Sequence, residues 1–393
     1  MRKMIWALLI CALLALVIGA VLMAGAGGTG KQLGTKLTAF GTGIMSGDTE
    51  TVPAHVAVFR DPLDVAAAAV PDAGSKPMMS VAPVGDGWIA VGIRGLIVTG
   101  SSIKGPWHQA QVPVQSDLLA VQFLDSMRGW AVGHDGVVLH SEDGGKTWLK
   151  QFDGRMAAKS FVGFYKNGVD AGKKEWVSSL NQVELNYKSG PTLPFRDVLF
   201  LDEHRGFVVG AFGMIAVTSD GGKSWQPWLH QIDNPEFLHL NAIRAIAGEV
   251  YIAGERGQVY RLDKDSGRFV VSSTGYAGSF FGIVGNKDVL LAYGLRGTVF
   301  RSTDYGKTWA AVQTPLATTV VGGAYMERQH RFVLVTADGQ IVTGDEMGNA
   351  FQAVKLGHPM AYTDVRSDSD ESLVFSGQSG IRFEKLSSAE LRK

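Results

Sequence analysis

The sequence predicts an all-β protein, a seven-bladed β-propeller with a short helical insertion between blades 2 and 3 and an N-terminal hydrophobic helix. Three observations predict it. A unit of about 41 residues recurs along the body of the chain. Each unit is a set of short aliphatic and aromatic runs broken by Gly- and Asp-rich turns. Glycine is also in excess, at 50 of 393 residues, where average usage of about 7% would give roughly 28.

The repeat is clearest at Gly129-Trp130-Ala131-Val132-Gly133, which runs through Gly136 into Ser141-Glu142-Asp143-Gly144-Gly145-Lys146-Thr147-Trp148. Copies lie at Gly206–Trp225 and Leu291–Trp309, with weaker ones around Gly92, Gly254, Thr336 and Gly377. The first glycine of each pair falls at 92, 133, 210, 254 and 294; Thr336 replaces it once, and Gly377 follows. One step, from 133 to 210, is too long by about 36 residues and marks an insertion. Seven units of about four strands make propeller blades. The Gly-x-x-Gly pair is read as the turn from strand b to strand c, with glycine supplying positive φ. Met78–Ala82 is the expected innermost strand of blade 1. The chain end truncates the last unit, and His55–Phe59 is the candidate strand to close it.

The turn from c to d matches the Asp-box, Ser-x-Asp-x-Gly-x-Thr-Trp. Ser141–Trp148 and Ser302–Trp309 match in full, and Thr218–Trp225 matches with Thr and Ser exchanged. Asp143, Asp220 and Asp304 are expected to accept hydrogen bonds from their own turns. Trp148, Trp225 and Trp309 are expected to wedge between blades, each burying about 150–250 Å². These six residues are read as structural.

Residues 1–28 read as a signal peptide or membrane anchor. Arg2 and Lys3 precede an uncharged stretch whose apolar core runs from Ile5 to Met23. That core lies between a secretory h-region of about 7–15 residues and a membrane span of about 20. Ala24-Gly25-Ala26 offers a small-residue cleavage site, so both readings stay open. Either one carries the body across a membrane, with Arg2 and Lys3 held in the cytoplasm. Residues 29–75 read as linker with the closing strand, 76–385 as propeller with a helical insertion at about 152–190, and 386–393 as tail. Cys11 is the only cysteine, which rules out a disulfide framework and a Cys-based zinc site. Lys+Arg and Asp+Glu are equal at 37, with no basic stripe for nucleic acid. The histidines are scattered over different units and suggest no metal site.

In a four-stranded blade the b–c turns share a face with the d–a links, opposite the Asp-boxes. Three b–c turns carry arginine before the second glycine, at Arg94, Arg256 and Arg296. Arginine suits bidentate capture of carboxylate or phosphate, and protein interfaces; solvated turn residues are the plainer reading. The insertion, a d–a link, is expected on the same face. Arg155–Tyr165 and Lys174–Tyr187 read as its helices, the second with Trp176, Val177, Leu180, Val183 and Leu185 at mostly helical spacing. It reads equally as a docking element or as a hairpin packed on the rim.

From about residue 80 to 385 the chain resembles the bacterial and plastid family of photosystem II stability/assembly factor-like proteins. The likeness rests on Phe123-Leu124-Asp125 through Trp148 and Phe200-Leu201-Asp202 through Trp225. In both, an aromatic-x-Asp precedes an Arg-Gly-aromatic, Arg128-Gly129-Trp130 or Arg205-Gly206-Phe207. The turns bearing Arg94, Arg256 and Arg296 look like arginine-bearing turns of that family. The insertion departs from photosynthetic members and looks like a branch associated with RND-type exporters of lipid or hydrophobic substrates. The resemblance implies a non-catalytic, extracytoplasmic scaffold without cofactor or metal, bound to an integral membrane complex. Arg94, Arg256, Arg296, Trp176 and Phe161 are its expected partner-binding residues. Two alternatives are a sialidase-like glycoside hydrolase, echoed by Phe59-Arg60-Asp61-Pro62, and a non-catalytic glycan-binding module. The hydrolase would need converging arginines and a Tyr–Glu pair, a set this sequence does not assemble.

Overall fold

A computed structural model describes residues 60–100, 105–368 and 372–386. Its sheets are six antiparallel meanders of four strands and one of three. The innermost strands, a, are Met78–Val84, Leu118–Phe123, Phe195–Phe200, Leu240–Ile246, Phe280–Gly285, Val320–Met326 and Tyr362–Ser367. Each packs beside the next, and the seventh beside the first, so the ring closes as seven blades. Blade 7 has three strands among the described residues. The N-terminal apolar segment, the His55–Phe59 strand and the tail beyond Leu386 lie outside the described residues. No helix among the described residues is long and apolar enough to cross a membrane.

Strands b carry the most uniform burial. Gly129–Gly133, Gly206–Gly210 and Leu290–Gly294 are buried at every position. Each sits between two paired strands and under neighbouring blades, so both faces are covered and the apolar run is continuous rather than alternating.

The b–c turns correct one expectation. The second glycine does take positive φ, as at Gly95 (+73°) and Gly297 (+71°). The first is extended, with φ −172° at Gly133, and needs no special backbone. Its reason is steric. A Cβ on Gly133 would lie 2.0 Å from the Asp117 carbonyl oxygen, and one on Gly294 2.0 Å from that of Ser279. The cause is a register shift near the start of strand a, between Leu118 and Ala120 or Phe280 and Gly282, which recurs blade after blade. Such a bulge re-aims the backbone, here toward the turn.

Each Asp-box turn closes on its own aspartate. Asp143 accepts from the N–H groups of Lys146 and Thr147, both at 3.0 Å, and from the hydroxyls of Ser141 (2.9 Å) and Thr147 (2.6 Å). Asp220 and Asp304 repeat this in blades 3 and 5. Burial pushes the Asp304 carboxyl up, but the Thr308 hydroxyl and the turn's N–H groups outweigh it and hold the pKa at about 2. Trp309 bridges blades, its indole N–H placed against Gly306 O and against Ser272 Oγ of blade 4 at 3.2 Å.

The insertion is a helical hairpin, α1 (Gly154–Asp170) and α2 (Val177–Tyr187), joined through a 3-10 turn at Lys174–Trp176. Asp153 caps α1, accepting from the N–H groups of Arg155 and Met156 at 3.0 Å. The hairpin packs against blade 3 through Ala157, Phe161, Tyr165 and Val183, which join the core of blades 2 to 4.

Residues 60–75 differ from the plain linker expected of them. They form a strap with two 3-10 turns, Pro62–Asp64 and Ala73–Ser75. Leu63 is buried with Val112 and Val114. Ala67 N–H donates to Val112 O at 2.9 Å, and Val70 N–H to Gln109 Oε1 at 2.8 Å. Arg155 holds Asp64 with two bonds of 2.7 Å, which ties the strap to α1.

Candidate functional site on the b–c face and in the channel

Hydrogen bonds fix the two faces. On one, Arg94 N–H donates to Asp117 Oδ1 (2.7 Å) and Gly95 N–H to Ser116 O (2.9 Å), joining a b–c turn to a d–a link. On the other, Gly144 N–H donates to Met127 O at 2.9 Å, joining an Asp-box to an a–b turn. The arginine turns and the start of the hairpin share the first face. There the Gly136 turn sits so close to Gly154 that a Cβ would lie 3.0 Å from its backbone.

Arg94, Arg256 and Arg296 are exposed, each at φ of +52° to +55°. A non-glycine residue in this left-handed region carries about 1–2 kcal/mol of backbone strain. Arg256 pairs with the exposed Glu236. The same turn position holds Asp135 in blade 2 and Phe212 in blade 3, also left-handed. The arginines therefore form an interrupted ring, with Arg256 and Arg296 on neighbouring blades and Arg94 apart on blade 1. Phe212 is the exposed aromatic of this face, 43% accessible and set edge-on to His239 at 4.6 Å.

The two aromatic residues expected to meet a partner are internal braces. Phe161 is fully buried against Phe152, with ring centres 5.5 Å apart, because it lies on the inward face of α1. Trp176 is half-buried, stacked on Phe164 at 5.0 Å and tilted against His230 at 4.4 Å. Lys173 Nζ lies 3.9 Å from its ring centre. The hairpin instead exposes Met156, Val177 and Leu185.

The channel holds charges that sequence reasoning missed. A cavity of about 350 Å³ is lined by strand a of all seven blades. Asp197 is buried there, accepting from Ile243 N–H (2.8 Å) and from the Arg244 guanidinium of blade 4. Burial pushes its carboxyl up against the pull of Arg244. Asp364 repeats the device in blade 7, accepting from Val365 N–H (2.8 Å), Arg366 Nη1 (2.8 Å) and Ser80 Oγ of blade 1 (3.0 Å). Tyr293 lies buried in the same field, its phenol pushed up to about 12 by burial. One signal could have found these carboxylates. Aligned at one strand-a position, the units read Ser80, Ala120, Asp197, Ala242, Gly282, Gly322 and Asp364. Two aspartates in a column of small residues need partners. Among the described residues no group of three or more His, Cys, Asp or Glu is placed to hold a metal ion.

Fold and site together define a seven-bladed Asp-box propeller with a helical hairpin and arginine-bearing turns on one face and a charged channel. The profile of the family described as "Photosynthesis system II assembly factor YCF48" matches residues 100–179 and 172–369, more than half the chain. The chain belongs to that family. A photosystem II assembly protein Ycf48 of Synechococcus sp. (strain JA-2-3B'a(2-13)) is 32% identical over 177 residues, 40% of this chain and 50% of that protein. The Ycf48 of Thermosynechococcus vestitus is 25% identical over 184 residues, 44% and 51% of the two chains. The chain thus spans about half the length of the curated relatives it matches. Among solved structures, "YCF48 bound to D1 peptide" superposes with TM-score 0.60 at 14% identity, over 82% of this chain and 96% of that one. The WD40 β-propeller domain of Doa1 reaches TM-score 0.57 at 10% identity, over 84% and 99%. At such identities these two speak for the fold alone.

Proposed function

We propose that this protein is a non-catalytic accessory factor that docks on a membrane protein complex outside the cytoplasm, assists its assembly or operation, and uses the b–c face to do so. The partner we propose is an exporter of the RND type. Family membership supports the assembly role, since the curated relatives are named as assembly proteins. The observation that carries the choice of face is the meeting of three arginine turns, an exposed Phe212 and a helical hairpin on one side of the ring. Exposed arginine and aromatic side chains are the residue types that dominate interface energetics. The N-terminal apolar segment with Arg2 and Lys3 supports the extracytoplasmic placement.

The test is a pull-down of the tagged full chain from detergent-solubilised membranes, read by mass spectrometry. A multi-span exporter is expected to come down with it. The triple variant Arg94→Ala/Arg256→Ala/Arg296→Ala is expected to lose that partner at an unchanged melting temperature. The Arg256–Glu236 pair is exposed on both sides, and exposed pairs contribute about 0–1 kcal/mol. A melting temperature lowered by many degrees would make these arginines structural, and retention of the partner would move the interface elsewhere.

A further inference from the structure

The strap creates a second site on the b–c face, apart from the channel. Where residues 66–76 pass over the b–c turn of blade 1 they enclose a cavity of about 280 Å³. Its lining is apolar for the most part: Ala68, Val70, Pro77, Ile93 and Leu96, with the Gln115 amide at one side. Two cations, Lys76 and Arg94, belong to the same lining. Lys76 is half-buried, and Arg94 is exposed. Neither has an ion-pair partner among the described residues, whereas Arg256 at the equivalent turn position pairs with Glu236.

The surroundings hold the Arg94 backbone in place. Its turn is pinned by the Arg94 N–H bond to Asp117 Oδ1 at 2.7 Å, and the next glycine by its bond to Ser116 O at 2.9 Å. Gly95 leaves no room to retreat, since a Cβ there would lie 2.0 Å from Val114 O. The strap wall is pinned equally. Gln115 Nε2 donates to Ala66 O at 3.0 Å, Gln109 Nε2 to Ala68 O at 2.7 Å, and Lys76 N–H to Ala73 O at 3.2 Å. The cavity is therefore formed before any ligand arrives, which keeps the ordering cost of binding small.

Concave apolar walls with a few polar groups at one place are the ordinary composition of a small-molecule site. Two cations without counter-ions among the described residues, one of them a guanidinium suited to bidentate oxygen capture, point to an oxyanion at the polar end. We infer that this cavity binds a small amphiphile, a carboxylate head on a short unbranched apolar body. The head sits between Lys76 and Arg94, and the tail lies on Leu96, Val70 and Pro77. A neutral tail makes no use of the two cations, and a bare anion leaves the apolar walls wet, so both halves of the ligand contribute.

Octanoate is the probe, titrated into the full chain without any membrane partner and followed by amide chemical shifts and calorimetry. Octanol and acetate, the tail and the head alone, are the comparators. Octanoate is expected to bind at least tenfold tighter than either, with shifts confined to residues 66–77, 93–96 and 115. Lys76→Gln and Arg94→Gln are each expected to weaken it three- to tenfold, and the pair together to reduce it to the level of octanol. Both side chains lie outside the core, and an unchanged melting temperature checks the fold of each variant. Equal affinity for octanol, shifts outside this cavity, or undiminished binding by the double variant would each overturn the assignment. The measurement uses no partner protein, so its outcome is independent of the docking proposed above.

Discussion

Gly133 shows at the scale of one residue how a repeat position acquires its identity. Its φ is available to any side chain, yet the Asp117 carbonyl oxygen would sit 2.0 Å from a Cβ. Gly133→Ala is therefore expected to cost about 3 kcal/mol through overpacking and to lower the melting temperature by several degrees in calorimetry. Arg296 presents the opposite case. Its left-handed backbone at φ +55° is strained for any residue with a Cβ, so its alanine variant leaves stability unchanged. The motif spacing alone put both glycines of the pair in the turn. It could not separate a φ requirement from a steric one, because the steric one comes from a bulge in a different strand.

The hairpin is the element whose role shifted most between sequence and structure. Helical periodicity placed both helices within a few residues. Phe161 and Trp176 looked available because a helix pattern shows which residues share a face, not what covers that face. Tertiary packing turned them inward, Phe161 onto Phe152 of blade 2 and Trp176 onto Phe164 and His230. The Tyr165 hydroxyl lies 3.0 Å from His230 Nδ1. Burial, then the nearby Arg268 and Lys173, hold the His230 pKa down to about 4, so its imidazole is neutral at pH 7 beside the Tyr165 hydroxyl. Because the folded pKa lies below the unfolded value of about 6.5, the unfolded chain takes up the proton first. Stability is expected to be complete above about pH 6.5 and to fall as pH drops toward 4. Thermal melts from pH 7 to pH 4 measure this, and His230→Gln should reduce the slope across that window, leaving the part carried by His140 and His239, which burial likewise pushes down. A decline of equal slope in the variant would place the titrating group elsewhere.

For the whole molecule the decisive contact is the closure between the last and first blades. Asp364 accepts from Arg366 and Val365 within blade 7 and from Ser80 in blade 1. Thr363 Oγ1 adds a bond to Met78 O at 2.7 Å. Removing one partner of a buried, hydrogen-bonded charge pair costs about 3–5 kcal/mol, since the other is left uncompensated. Asp364→Ala is expected to destabilise by about 3 kcal/mol on that basis. Hydrogen exchange should speed first in Met78–Val84 and Tyr362–Ser367, the two strands that seal the ring. Uniform acceleration across all seven blades would show instead that closure does not depend on this pair.

The blade count, the Asp-box turns, the break that houses the hairpin, and the face shared by hairpin and arginines are all legible in the sequence. All of these follow from local chemistry repeated at a fixed period, and a repeat displays its own register. The tertiary structure alone decided what the repeat cannot encode. It set the inward turn of Phe161, the strap made from residues 60–75, the Asp197–Arg244 pair of the channel and the cavity between Lys76 and Arg94. Each of those joins residues from different blades or from outside the repeat. Asp364 and Ser80 lie 284 positions apart, and only closure of the ring brings that carboxylate and that hydroxyl within hydrogen-bond reach.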